Sequence, residues 1–271
     1  MRIAISNIAW LLEEDQEAFE ILREYAVLSV EIAPTRWWPD PGKANEKDAR
    51  QFSEHLQSEG FSVAGFQAIL FGKPELTLFD GAHQRRACLD YLTHVGQLLA
   101  VCGGQPAVFG APKNRLVPTS MPQEEADHIA EEFFADLAMR GAHLGVCFCL
   151  EPNPREYGCN YLTHVSDVVR IVRKVNSPGL LLQIDAGELA MNSEEIEQIV
   201  AEHHDIIGHV HISQPMLGDF ESPWAGHTTL AAALRKAGYN GLASVEMKRP
   251  TDGLKGVRRA LEFSQQCYGK A

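Results

Sequence analysis

No stretch of 18 residues in this chain is uniformly apolar, which argues against a membrane-spanning helix. The N-terminus, Met1-Arg2-Ile3-Ala4-Ile5-Ser6-Asn7, lacks the long apolar core and small-residue cleavage site of a secretory leader. Basic residues are scarce: 24 Lys plus Arg stand against 36 Asp plus Glu, a formal charge of −12 that opposes a surface built to neutralise phosphodiester backbones. CxxC spacing is missing too. The six cysteines (Cys88, Cys102, Cys147, Cys149, Cys159 and Cys267) make no small-domain disulfide framework, as expected of free thiols in a reducing compartment. The turn Asn7-Ile8-Ala9-Trp10 after the first apolar run has no glycine, so the dinucleotide crevice of an open doubly wound sheet lacks its phosphate-binding turn. These absences predict a cytoplasmic protein with neither a nucleic-acid nor a membrane partner.

What is present is a recurring pattern of apolar runs that end in a ligand-type side chain. Val146-Cys147-Phe148-Cys149-Leu150 runs into Glu151 and then Pro152, which cannot extend a hydrogen-bonded ladder. Leu180 to Ile184 ends in Asp185, Ile206 to Val210 in His211, and Leu242 to Val245 in Glu246. From 151 to 185, 211 and 246 the steps are 34, 26 and 35 residues, about one βα unit each. Such spacing places four side chains at neighbouring strand ends, where α/β barrels keep their chemistry.

The rest of the chain alternates in the same way. Strands are predicted at Arg2 to Asn7, Leu28 to Pro34, Phe61 to Ala68 and Ala107 to Pro112, besides the four above. Helices are predicted at Glu13 to Tyr25, Asp48 to Ser58, His83 to Cys102, Glu124 to Gly141, Thr163 to Val175, Ser193 to His203, Thr228 to Ala237 and near Gly253 to Tyr268. Eight βα repeats in 271 residues predict an α/β protein with one (β/α)8 TIM barrel spanning 1–271, and no Ser/Gly-rich linker marks a second domain.

Three carboxylates and one imidazole form a mostly hard donor set, which favours Mn²⁺, with Mg²⁺ or Co²⁺ as alternatives, over structural zinc. Four protein donors leave two positions of an octahedral ion for a substrate with adjacent oxygens, such as a hydroxy-ketone. A cation there acidifies the neighbouring C–H by stabilising an enediolate, and two glutamates on opposite sides could remove and return the proton. A lone strand-end acid is more often a helix cap or an ion-pair partner; four in succession are harder to attribute to capping. His209, one layer below His211, reads as a core histidine.

The motifs Leu150-Glu151-Pro152-Asn153, Gln183-Ile184-Asp185-Ala186-Gly187, His209-Val210-His211 and Ser244-Val245-Glu246-Met247, with Gly238-Tyr239-Asn240-Gly241 before the last strand, resemble the xylose isomerase-like barrel superfamily. Within it the chain looks like the sugar phosphate isomerase/epimerase branch of ketose 3-epimerases and hydroxypyruvate isomerases. The resemblance implies metal ligation by Glu151, Asp185, His211 and Glu246, with Glu151 and Glu246 as the catalytic proton-transfer pair. It also implies a sugar or sugar-phosphate substrate and a homo-oligomer. Two positions depart from the epimerases: Glu188 replaces a substrate-contacting histidine, and Leu217 replaces an arginine.

Further substrate-binding candidates are weighed against plainer roles. Lys113, Asn114 and Arg115 form a basic cluster after the fourth strand that could hold a phosphate or carboxylate, or be a solvated loop. Lys248 would share a strand face with Glu246. Trp37 and Trp38, with Phe71 and Trp224, could stack on a sugar ring or pack ordinarily. Gln67 and Glu31 lie near strand ends, and either could bind a hydroxyl or complete the barrel's top layer. Glu156 is placed to cover the site or to make a surface ion pair. Three other functions compete with isomerisation: a metal-dependent dehydratase sharing the first proton abstraction, a non-catalytic sugar-binding barrel, and an apurinic-site endonuclease of the same superfamily. The last is opposed by the acidic charge and by His83, His94 and His143 falling in helices.

Overall fold

Short apolar strands separated by amphipathic helices can bury both strand faces and leave no open edge only by closing on themselves. The chain does so in the computed structural model, which describes residues 1–269. Eight parallel strands pair in sequence order and β8 returns to β1. They are β1 (Arg2–Ser6), β2 (Ser29–Ile32), β3 (Ser62–Phe66), β4 (Pro106–Phe109), β5 (Cys147–Leu150), β6 (Leu180–Asp185), β7 (Ile207–Ser213) and β8 (Leu242–Glu246). The helices outside are α1 (Asp15–Glu24), α2 (Glu46–Ser58), α3 (Ala82–Val101), α4 (Gln123–Leu144), α5 (Val165–Val175), α6 (Ala186–Met191), α7 (Ile196–His203), α8 (Gly226–Lys236) and α9 (Leu254–Tyr268). The fold is the predicted (β/α)8 TIM barrel. Among the described residues no helix is long and apolar enough to cross a membrane.

Local chemistry sets the boundaries. The Asn45 side chain accepts from the backbone N–H groups of Lys47 and Asp48, and Asp48 accepts from that of Asn45, so α2 starts two residues before its first predicted position. Gly145, with φ +73°, ends α4. That helix turns Phe133, Phe134 and Leu137 inward, and Phe134 meets Phe109 of β4 edge to face at 5.4 Å. Each such ring stabilises the wall by roughly 1.5–3 kcal/mol through burial alone.

Two boundaries matter for the site. First, β6 is followed without a loop by α6, a turn the sequence reading did not anticipate, and α7 begins at Ile196 rather than Ser193. Second, β7 continues to Ser213, two residues beyond His211, while β8 stops at Glu246. The register pairs Asp185 with His211 and Ser213 with Glu246, so Asp185 and His211 share one level and Glu246 stands two residues above His211's own partner, Ser244.

Candidate metal centre

At the C-terminal mouth, ligand atoms of Glu151, Asp185, His211 and Glu246 all lie within 4.8 Å of one another. His211 Nδ1 is the hub: 3.1 Å from Glu246 Oε2, 3.5 Å from Glu151 Oε1 and 3.7 Å from Asp185 Oδ2. Donors ~2.1 Å from one ion are ~3 Å apart when adjacent and ~4.2 Å apart when opposite, so these separations match the edges of a single coordination shell. His211 Nδ1 and Glu151 Oε1 are buried and make no hydrogen bond. Buried polar atoms are rarely left so, and a cation would satisfy both. The charge balance agrees: burial, then the Glu151 and Glu246 carboxylates, push Asp185 up to about 7, and burial raises Glu246 above its ordinary range against the pull of His211. The donor set therefore fits a divalent ion.

The supporting residues fix each ligand. Glu31, fully buried in β2, accepts from His211 Nε2 at 3.1 and 3.2 Å and from His209 Nε2 at 3.1 Å. Burial opposes its ionisation, yet His211 and His209 outweigh burial and hold the carboxyl well below the usual range. An ionised carboxylate only accepts, so both rings present Nε2–H to Glu31, which turns His211 Nδ1 toward the centre. His209 is thus the core histidine expected, and Glu31 is an imidazole anchor that the sequence reading left undecided.

Asp185 does two jobs with its two oxygens. Oδ1 caps α6 by accepting from Glu188 N–H at 2.8 Å, while Oδ2 faces His211 and accepts from Ser213 Oγ at 2.6 Å. Gly187 donates its N–H to that same hydroxyl, and a side chain at 187 would collide with Gln214's carbonyl. Asn153 Nδ2 bridges Glu151 Oε2 at 3.0 Å and Glu188 Oε1 at 2.7 Å. Burial, then Glu151 and Asp185, raise the Glu188 carboxyl well above its usual range. Glu188 therefore acts on Glu151 through Asn153. Gly110, just after β4, makes room: a Cβ there would overlap Glu151 Oε2 and lie 3.0 Å from its Cδ.

A cavity of about 380 Å³ opens above the centre. Glu151 and Glu246 reach it, Ile8, Val108, Phe71 and Leu217 give it apolar walls, and Gln67 and Arg36 are polar members. Gln67 Nε2 donates to Ser6 Oγ at 2.7 Å. Tyr157 is half-buried, and burial, then Asp185, Glu188 and Glu151, raise its hydroxyl above the usual tyrosine range.

Several predicted contacts lie elsewhere. Arg115 is no loop cation: fully buried, it donates through Nη2 to the Glu151 carbonyl at 2.7 Å and to Asn153 Oδ1 at 2.9 Å, clamping the turn after β5. Asn114 ties down the Lys73 and Leu76 carbonyls, and Lys113 is exposed, so the three side chains do not gather into one cluster. Lys248 lies past the end of β8 and is exposed, with its backbone N–H on the Leu217 carbonyl. Trp37 packs outward on Phe52 and His55 of α2, Trp38 enters the core against Phe52 and Phe66, and Trp224 meets His227 edge to face. Glu156 is exposed in the 3-10 turn Arg155–Tyr157 with no ion pair among the described residues. Arg36, at the end of the 3-10 turn Pro34–Arg36 after β2, is the pocket residue that was missed.

Comparison with known proteins agrees with this architecture. No curated protein matches the chain. Among solved structures, a D-psicose 3-epimerase with D-tagatose from Clostridium cellulolyticum H10 is 16% identical, with a TM-score of 0.81 over 100% of both chains. A 3-keto-D-glucoside 4-epimerase from E. coli is 20% identical, with a TM-score of 0.77 over 98% of this chain and 100% of that one. An IolI protein with a bound zinc atom is 16% identical, with a TM-score of 0.73 over 99% and 98%. At these identities the likeness speaks to the fold. The family described as xylose isomerase-like TIM barrel matches residues 19–267, and the chain belongs to that family.

Proposed function

We propose that this protein is a divalent-metal-dependent isomerase or epimerase of a small sugar, sugar phosphate or related hydroxy-ketone, with Glu151, Asp185, His211 and Glu246 as metal ligands and Mn²⁺ as the preferred ion. The observation that carries the reading is the convergence of three carboxylates on His211 Nδ1, an atom left without a hydrogen bond beneath an open cavity. The sugar epimerases among its structural neighbours agree with it. When bound, the cation supplies positive charge beside the substrate carbonyl, which makes the adjoining C–H more acidic.

The chain's own residues would do the rest. Glu246 is the more accessible carboxylate, with 12% of its side chain exposed, and burial raises its proton affinity, as a base working near neutral pH requires. Glu151, held through Oε2 by Asn153, is placed to pass a proton at the same substrate from its other oxygen. Return to the same carbon gives epimerisation; return to the neighbouring carbon gives aldose–ketose isomerisation.

The test is proton exchange. Metal-loaded protein incubated in heavy water with a panel of ketoses and ketose phosphates should place deuterium on the carbon beside the carbonyl. Glu151→Gln and Glu246→Gln should each lower turnover by ~10²–10⁴-fold. Near-normal turnover in either variant would refute the two-glutamate scheme, and an enone absorbance with loss of water would reassign the chemistry to dehydration.

A further inference from the structure

The cavity above the metal centre contains one cation among the described residues, Arg36. Its side chain is 22% exposed, yet Nε and Nη2 are buried and have no hydrogen-bond partner. The nearest acid, Asp15, lies 3.9 Å from Nη2, too far to hydrogen-bond, and its Oδ1 already accepts from Trp10 Nε1 at 2.7 Å. That loose pairing offsets charge without satisfying either N–H. Nε–H and one Nη2–H lie along the same edge of the guanidinium, a fork spaced to grip two oxygens of a carboxylate or phosphate. A desolvated, unfilled fork is costly, and a ligand supplying two acceptors removes that cost.

The other walls sharpen the argument. Leu217 and Phe71 offer no hydrogen bonds through their side chains, and Gln67 Nε2 is committed to Ser6. The Thr35 hydroxyl and Gln67 Oε1 are the neutral polar groups of the lining, and Arg36 is its cation. The basic triplet 113–115 does not line this cavity, and Arg115 Nη2 holds the Glu151 turn.

Resting on the reading above that a hydroxy-ketone binds in this cavity, we propose that Arg36 binds an anionic group of that substrate, a carboxylate or a phosphate, and sets the preference for charged over neutral substrates. The carbonyl and adjacent hydroxyl meet the metal centre, and the anion meets the guanidinium of Arg36, which must turn its buried Nε/Nη2 edge toward the cavity to grip it.

The experiment compares matched pairs on metal-loaded protein: D-fructose with D-fructose 6-phosphate, D-fructose with D-fructuronate, and the shorter ketoses with their terminal phosphates. The readout is the ratio of kcat/KM for deuterium exchange, charged over neutral. The native protein should show a ratio of roughly 10–100 for one anion class, and the larger ratio identifies carboxylate or phosphate as the group. Arg36→Gln should bring the ratio to about 1, and Arg36→Lys should fall between, because an ammonium keeps the charge and loses the fork. If Arg36→Gln does not fold, Arg36→Lys gives the same reading. A native ratio near 1, or one unchanged by substitution, overturns the assignment while exchange itself still supports the reaction. Should no compound exchange, calorimetry with inorganic phosphate decides: binding lost in Arg36→Gln keeps the anion site and removes only the reaction, whereas no binding removes both.

Discussion

The sharpest consequence of the centre's geometry concerns a residue that touches no substrate. Glu31 gives His211 Nε2 two carboxylate oxygens, at 3.1 and 3.2 Å, and His209 Nε2 one of them. Glu31→Gln keeps the shape and replaces one oxygen with an NH₂ donor. If the remaining carbonyl serves His209, the amide NH₂ faces His211 Nε2–H, donor against donor. His211 can escape by moving its proton to Nδ1, the atom that must be bare to ligate. A metal then has to reverse that tautomer against a buried amide. Losing the anchor of a ligating imidazole commonly weakens metal binding by ~10–100-fold, or about 1.4–2.7 kcal/mol. The assay is competition with a fluorescent chelator for Mn²⁺ on the metal-stripped protein at pH 7.5, with circular dichroism confirming the fold. Affinity within threefold of the native protein would refute the argument that Glu31 sets the tautomer of His211.

Two further outcomes follow from packing and burial. Gly110→Ala puts a methyl onto Glu151 Oε2, so the carboxylate must leave Asn153; exchange activity should fall ~100-fold or more while unfolding costs change by about 1–3 kcal/mol, and unaltered activity would contradict the close approach. His227 is buried between the Gln214 amide, which donates to Nε2 at 3.0 Å, and the Tyr268 hydroxyl, 2.7 Å from Nδ1. Burial pulls its pKa from 6.5 to about 4. The unfolded chain therefore binds the extra proton first. The folded state should lose stability as pH falls from 6.5 to 4, by roughly 3 kcal/mol in total, with no further loss from this group below that window. Urea unfolding across pH 4–7 should show a shallower slope in His227→Gln than in the native protein; parallel curves would refute it.

The barrel was legible because its signals are local: apolar runs, prolines after strands and amphipathic helices at one period. The convergence of the four proposed ligand positions was legible for a related reason, since a charged residue closing a buried apolar run is costly unless a partner offsets its charge. Asp185 shows why capping could not be separated from ligation by sequence: one oxygen caps α6 and the other faces the centre. What sequence could not display depends on distant partners. Glu31 lies near the end of its strand, where an acid can equally bind a hydroxyl or fill the barrel's top layer, and the imidazoles it serves are 178 and 180 residues away. Lys113-Asn114-Arg115 looks like a solvated loop until the carbonyls that bury Arg115 arrive from 36 and 47 positions on. Trp37 and Trp38 are neighbours in sequence and face opposite environments because a 3-10 turn, not a strand or helix, carries the chain past them.

The proposed ligands all come from β5 to β8, whereas Arg36, Gln67 and Phe71 come from the loops after β2 and β3. On the proposed reading, reactivity is carried mostly by the second half of the chain and selectivity mostly by the first, with Glu31 and Leu217 crossing that division. Exchanging the first four repeats between homologous barrels that keep an acid at position 31 should transplant substrate choice while leaving the catalytic engine running.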